Sequence, residues 1–277
     1  MRATQNARER ARAQLTREIK EEARRQVAAG GAQQLSLRAV ARELGMVSSA
    51  LYRYYPSRDE LLTALIIDAY DSLGAAAEAA VTEAAVTDSA VADSAVADSA
   101  IADTARSSVR ECWRACCRAV RDWARARPHE YALIYGSPVP GYEAPPQTVA
   151  PAARVPVALG GLLAEAWKDP AGRETPAHAG QPGPSAHSAP SAHSAPSAPL
   201  VQPALPGLLA SQAEVVAAAI APGVPPVVIA RALIAWTQLF GMVSFELFGQ
   251  LVGSADPADD FFSYSVEQMA DLVGLPA

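Results

Sequence analysis

The chain has 277 residues, half of them apolar and 19% charged, with a formal net charge of −6. That composition supports one large or two small packed cores and excludes two classes of location. No uncharged apolar run reaches the ~18 residues of a membrane span, since Val224 to Val252 is interrupted by Arg231, Gln238 and Glu246. The arginine-bearing N-terminus also has no apolar core of a secretory signal, so no membrane association and a cytoplasmic location are expected.

Charge is divided unevenly. Residues 1–60 hold 12 Lys+Arg against 7 Asp+Glu, a net of +5, and the other 217 residues hold 11 against 22, a net of −11. A basic head on an acidic body suits contact with a polyanion at one end. Cys112, Cys116 and Cys117 fall on one predicted helix. They are odd in number and have no partners elsewhere, which excludes a disulfide framework. They read as small buried side chains, with redox sensing as the second reading.

Residues 1–12 are polar and carry Arg2, Arg8, Arg10 and Arg12; a mobile arm or tail is expected. Leu15, Ile19, Ala23 and Val27 recur every four residues, which predicts a helix over 13–29 closed by Gly30-Gly31. Lys20, Arg24 and Arg25 read as its solvated face. Two short helices follow. Ser36 is placed to cap the first, Val40 and Leu44 share one face, and Gly45 stops it by entering the left-handed region without a Cβ clash. Ser48 and Ser49 are candidate caps for the second. Pro56 forbids continuation past Tyr55, and Ser57 with Glu60 forms a capping box for the next helix. Val40, Leu44, Val47, Leu51 and Tyr55 are spaced to form one small core. Ser48, Ser49, Ala50, Tyr52, Arg53 and Tyr54 are left outside it: short, polar-tipped or cationic side chains of the kind that enter a DNA major groove. A plain solvated helix hairpin is the other reading of this pattern.

The stretch Ser36-Leu37-Arg38-Ala39-Val40-Ala41, then Leu44-Gly45-Met46, then Leu51 through Leu62 resembles the DNA-binding domain of the TetR (tetracycline-repressor type) family of transcription regulators. The resemblance implies a helix-turn-helix in which Ser48, Ser49, Ala50, Tyr52, Arg53 and Tyr54 read or position on bases. Ser57, Arg58 and Arg38 would hold phosphates, with the helix start at Arg58 adding free amides, and Ser36 is a further candidate DNA-binding residue. It also implies that an N-terminal arm can touch the DNA backbone or minor groove, and that the helix from Ser57 transmits tilt from body to head.

That helix is predicted to run toward Ala85. Residues 86–105 repeat five-residue units such as Val-Ala-Asp-Ser-Ala. A period of five does not match 3.6, and Asp-Ser pairs disfavour helix interiors, so the stretch reads as a low-complexity insertion, with a weak helical extension as the alternative. Val109 to Arg127 predicts a helix closed by Pro128, His129 to Tyr135 a short one ended by Gly136, and 137–151 a proline-rich loop. Val155 to Trp167 returns to helix. Residues 169–206 form a second low-complexity stretch without an apolar face. Its His178, His187 and His193 read as linker, and no metal site or cofactor is expected. Leu205 to Ile220, Pro226 to Leu251 and Tyr264 to Val273 complete an all-α chain, the middle one so apolar around its circumference that it must be buried or paired with a second subunit.

Trp113–Trp123, His129–Pro140 and Trp236–Gln250 resemble the TetR-type C-terminal domain called WHG; Trp236 and Gly241 fit, and Phe240 stands at the name-giving His. This resemblance implies a homodimer through a four-helix bundle of the last two long helices, and a cavity for an unknown small-molecule effector. Trp113, Trp123, Tyr131, Tyr135, Trp236 and Phe240 are its candidate lining. Glu246, an acid on the apolar helix, is open to three readings: pairing across a dimer, facing solvent, or receiving a cationic ligand. Residues 1–60 are thus expected to form a helix-turn-helix domain, and 61–277 an effector-binding and dimerisation domain. The expected function is a ligand-responsive repressor binding double-stranded operator DNA; a helical interaction module that does not read DNA is the alternative. No phosphate loop, nucleophile elbow or metal cluster points to an enzyme.

Overall fold

The computed structural model describes residues 2–92, 98–168 and 204–276, with side chains described for 7–87, 109–168 and 204–276. The elements are α1 (Arg2–Gly30), a 3-10 turn (Ala32–Gln34), α2 (Leu37–Glu43), α3 (Ser48–Leu51), α4 (Arg58–Ala92), α5 (Asp98–Ala126), α6 (Pro128–Tyr135), a second 3-10 turn (Pro146–Thr148), α7 (Val149–Ala152), α8 (Arg154–Ala166), α9 (Gly207–Ile220), α10 (Pro226–Leu247) and α11 (Asp259–Leu272); the described residues hold no strand.

Local chemistry accounts for the start of the chain. Ile19, Ala23 and Val27 are buried, one per turn of α1, as their spacing requires. The helix reaches back to Arg2, so residues 2–12 continue α1 and do not form a separate arm. Ser36 Oγ accepts from the Ala39 amide at 3.4 Å. Gly45 has φ +64°; its amide donates to Arg42 and that of Met46 to Ala41, the paired closure that a left-handed residue after a helix permits.

Two local expectations fail at the turn. Neither Ser48 nor Ser49 caps α3: Val47 occupies the cap position, without a side-chain bond. Val47 is also outside the core, at 68% exposure, while Val40, Leu51 and Tyr55 are buried. The helical count from Val40 breaks at the extended backbone of Val47, and Met46 packs inward instead. Ile19, Leu37, Val40, Leu51, Leu61 and Leu65 make one core from α1 to α4.

A second core is built from α4 onward, around Leu73, Trp113, Cys116, Val120, Leu163 and Leu239. The described parts of the 86–105 repeat are helical: α4 extends to Ala92 and α5 begins at Asp98. The alanines of this stretch favour helix, and a helix already propagating needs no new nucleus, so the described parts follow the helical alternative. The histidine-bearing stretch 169–203 lies outside the described residues.

By length and composition alone α10 could cross a bilayer, a test that a buried core helix also passes. Here it packs against α9, α5, α6 and α11, burying Ile229, Ala235, Leu239 and Val243.

Ion pairs close the far end of the body. Arg110 Nη2 lies 2.7 Å from Asp271 and 2.9 Å from Glu267, and Arg114 Nε lies 2.5 Å from Glu267. The Arg114 bond, with Arg110 assisting against partial burial, holds the Glu267 carboxyl down to about 2. A carboxyl whose folded pKa is depressed contributes stability that is complete above its unfolded value and is lost as pH falls toward the folded one. Glu267→Gln is therefore expected to lower Tm at neutral pH and to flatten its fall between about pH 4.5 and 2. Thermal unfolding followed across that range checks this; equal slopes for the two proteins would refute it.

Candidate nucleic-acid interface and effector cavity

The tip of the head is α3 with the turn that follows. Tyr52, Tyr54 and Tyr55 continue the bonding of α3, their amides reaching Ser48, Leu51 and Leu51. Leu51 is fully buried and anchors this segment, while Tyr52 is 42% exposed. Arg53 and Ser49 are exposed, and Ser48, Ala50 and Tyr54 are half-buried. The sequence thus leaves Tyr52, Arg53 and Ser49 free on one outward segment, as their residue types require.

The start of α1 lies beside that segment. Arg8, Arg12, Met46, Ala50, Arg53 and Tyr54 line a shared groove of about 500 Å³. The Arg12 guanidinium sits 5.7 Å from the Tyr54 ring centre, a cation–π distance. Arg8 and Arg12 fall one turn apart on α1, so they join the same basic face.

The positions expected along phosphate divide. Arg38 and Ser57 are exposed and Ser36 is half-buried. Ser57 Oγ accepts from the Glu60 amide at 3.1 Å, the cap that starts α4. Arg58 is turned inward: Nη2 donates to the Ala32 carbonyl at 2.8 Å and Nη1 to Asp59 at 3.1 Å. Its strongest visible role is to hold the 3-10 turn onto α4.

Head and body are joined by polar contacts that the sequence reading missed. Lys20 and Arg24, expected in solvent, both bind Asp68 of α4, at 2.7 and 2.6 Å, and Arg24 also lies 3.9 Å from Glu130 of α6. Thr63 and Tyr142 share a hydrogen bond of 2.9 Å. The signal was present as charge on α1 and α4, but no local period links residues 48 positions apart.

In the body, the six candidate aromatics separate. Trp113 and Trp236 line a cavity of about 170 Å³ between α5, α8, α9 and α10. Tyr135 borders a wider cleft of about 710 Å³ between α6, the end of α1 and α10. Phe240 packs 4.2 Å from the Tyr135 ring centre and 5.8 Å from that of Trp236. Tyr131 is fully buried, its hydroxyl donating to the Phe240 carbonyl at 2.9 Å and bonded to Ser244. Burial pushes the Tyr131 and Tyr135 hydroxyls up from the usual phenol value. Trp123 lines neither space: its indole donates to Ser72 Oγ at 2.9 Å. Tyr131, Phe240 and Trp123 are therefore core in this structure.

Glu246 has a partner within the chain that the sequence reading did not name. It forms a two-pronged pair with Arg121 of α5, at 2.7 and 2.8 Å, while Arg121 also reaches Asp259 at 2.9 Å. The cysteines are buried. Burial pushes the Cys116 thiol up to about 12 and raises Cys117 well above the usual thiol value, which suppresses the thiolate that redox chemistry requires. No group of three or more metal-binding side chains occurs among the described residues.

Residues 19–65 match the family model for bacterial regulatory proteins of the tetR family, and residues 113–269 match that of the tetracyclin repressor-like C-terminal domain. The chain belongs to the TetR family. Its body is thus a TetR-type C-terminal domain. Over 144 residues it is 44% identical to HTH-type transcriptional regulators of Mycobacterium bovis and Mycobacterium tuberculosis, covering 50% of this chain and 51% of each relative. The chain spans about half the length of these curated relatives. Two solved structures share the fold. One, SCO4313, described as a regulatory protein, is 28% identical with a TM-score of 0.64, covering 95% of this chain and 98% of that one. The other, of unknown function from Rhodococcus sp. RHA1, is 22% identical with a TM-score of 0.52, covering 95% and 96%.

Proposed function

We propose that this TetR-family chain is a DNA-binding transcriptional regulator, not an enzyme, and that it acts in the cytoplasm as a ligand-responsive repressor on a palindromic operator. The observation that carries this reading is the outward segment Ser48–Tyr54: Leu51 roots it in the core while Arg53 and Tyr52 stand free. Arg53, Tyr52 and Ser49 contact base edges, Ser48, Ala50 and Tyr54 allow close approach, and Arg38, Ser36 and Ser57 lie along phosphate. Residues 1–60 form the reading domain and 61–277 the effector and dimerisation domain.

Dimerisation is supported by apolar side chains left in solvent on α9 and α10. Leu208, Val215, Ile234 and Phe245 are each more than half exposed, and their seven-residue spacing within Leu208–Val215 and Val227–Ile234 suits a four-helix bundle between two copies. As in the WHG-type arrangement, such pairing sets two heads side by side. An effector in the α5–α10 cavity favours one body conformer, and the Lys20/Arg24–Asp68 contacts carry that preference to the head. The size of the response is limited by the effector's affinity difference between conformers.

Arg53→Ala is expected to weaken binding to a duplex from upstream of the chain's own gene and to relax preference at one base pair by about 1–3 kcal/mol. Fluorescence anisotropy against single-base variants of that duplex measures both. Unchanged affinity and unchanged preference would remove Arg53 from the reading face.

A further inference from the structure

The cavity bordered by Trp113 and Trp236 has an almost wholly hydrocarbon wall. Leu159, Leu163, Ile229 and Leu233 line it, and none of its lining side chains is ionisable. Neither indole N–H serves the space. Trp113 Nε1 donates to the Val266 carbonyl at 3.3 Å, and Trp236 Nε1 is buried out of reach of water. Packing also holds the space open. Helices α8 and α9 already touch at Gly160, where one added methyl would lie 2.6 Å from the Ile220 carbonyl oxygen, so they have no room to close in on it.

A void of this kind forfeits dispersion contacts along its lining, and a filler restores them. The wall decides what can fill it. A charged group would lose its hydration with no opposite charge to meet it. A hydroxyl or carbonyl would give up its bonds to water and gain none. A hydrocarbon gives up no such bonds, and its removal from water is favourable. The volume, about 170 Å³, is near that of an apolar protein cavity that stays dry and binds benzene. We infer that this cavity takes a hydrocarbon of about one ring, an arene or a cycloalkane, and selects against any hydrogen-bonding group on it. The inference rests on the effector reading of the cavity above and gives that effector its chemical class.

Toluene, phenol and benzoate separate the requirements. Toluene and phenol have nearly the same shape and exchange a methyl for a hydroxyl, and benzoate adds a charge. The full-length chain without DNA is titrated with each by calorimetry. Toluene is expected to bind tighter than phenol by about tenfold or more, the effect of burying one hydroxyl without a partner, and benzoate not to bind. In NMR spectra, nuclear Overhauser contacts place toluene against the methyl groups of Leu163 and Ile229. Ala232→Phe, which fills the space, abolishes toluene binding. Leu233→Ala, which enlarges it, shifts preference from toluene toward naphthalene several-fold.

Phenol affinity within about twofold of that of toluene, measurable benzoate binding, or no toluene binding would each overturn the inference. So would toluene binding that survives in a folded Ala232→Phe variant. Should that variant not fold, Leu233→Ala decides, and an unchanged preference between toluene and naphthalene overturns the inference. Toluene bound as expected with DNA affinity unchanged would uphold the ligand chemistry and count against the effector role alone.

Discussion

Leu51→Ala is expected to abolish operator recognition while the body stays folded. Helix α3 has four residues, and Leu51 is its one buried side chain. A four-residue helix is far below the length that holds itself together in water, so the segment keeps its place through that side chain, which is fully buried against the head core. Truncating a buried leucine costs about 2–5 kcal/mol. Loss falls on the head, because its core is distinct from that of the body. Anisotropy should show operator affinity falling to the non-specific level, further than for Arg53→Ala, which removes one contact and leaves the segment in place. Hydrogen exchange should show faster exchange in α2 and α3 and unchanged protection in α5 and α10. A variant that binds the operator like wild type would mean that Leu51 does not anchor the tip.

Arg121→Met is expected to destabilise the body by about 3 kcal/mol, near the lower bound for breaking a buried ion pair. Arg121 and Glu246 are both largely shielded, at 9% and 18% side-chain exposure, so removing the arginine strands a carboxylate among apolar neighbours. Arg125 lies 3.8 Å from Glu246 and is half-exposed, which relieves part of that cost. The paired replacement Arg121→Met with Glu246→Met removes the stranded charge and should recover most of the loss, since two buried charges offset their own desolvation only with good geometry. Denaturant unfolding of the two variants decides it. A double variant less stable than the single would show that the pair contributes more than it costs to bury.

The legible parts of this fold were those governed by neighbours in sequence. The Ile19–Val27 stripe, the Ser36 cap and the left-handed Gly45 follow from spacing or from the special backbone freedom of one residue. They delimit the helix-turn-helix and its outward Tyr52-Arg53 segment. Val47 was misplaced because a helical count does not survive the extended residue between two helices. Asp68, Glu130 and Glu246 were illegible as partners of Arg24 and Arg121 because α1 meets α4 and α6, and α5 meets α10, only after the chain packs. The same limit applies to the body cavity. Six aromatics had suitable spacing, but which of them border a space depends on how helices cross, and Trp113 and Trp236 were distinguished from Trp123 and Tyr131 by that geometry alone. The 86–105 repeat was open to two readings on composition, and in its described parts, up to Ala92 and from Asp98, the helical alternative holds.

The central claim is that two outward segments, one from each copy, meet one face of a DNA duplex. Hydroxyl-radical footprinting of the full-length chain on DNA from upstream of its own gene tests it most directly. Two protected patches related by a dyad are predicted, with centres one helical turn apart, roughly 34–36 Å along the axis, both fading as salt rises. An unprotected duplex at low ionic strength, or a single patch with no symmetry mate, would contradict it.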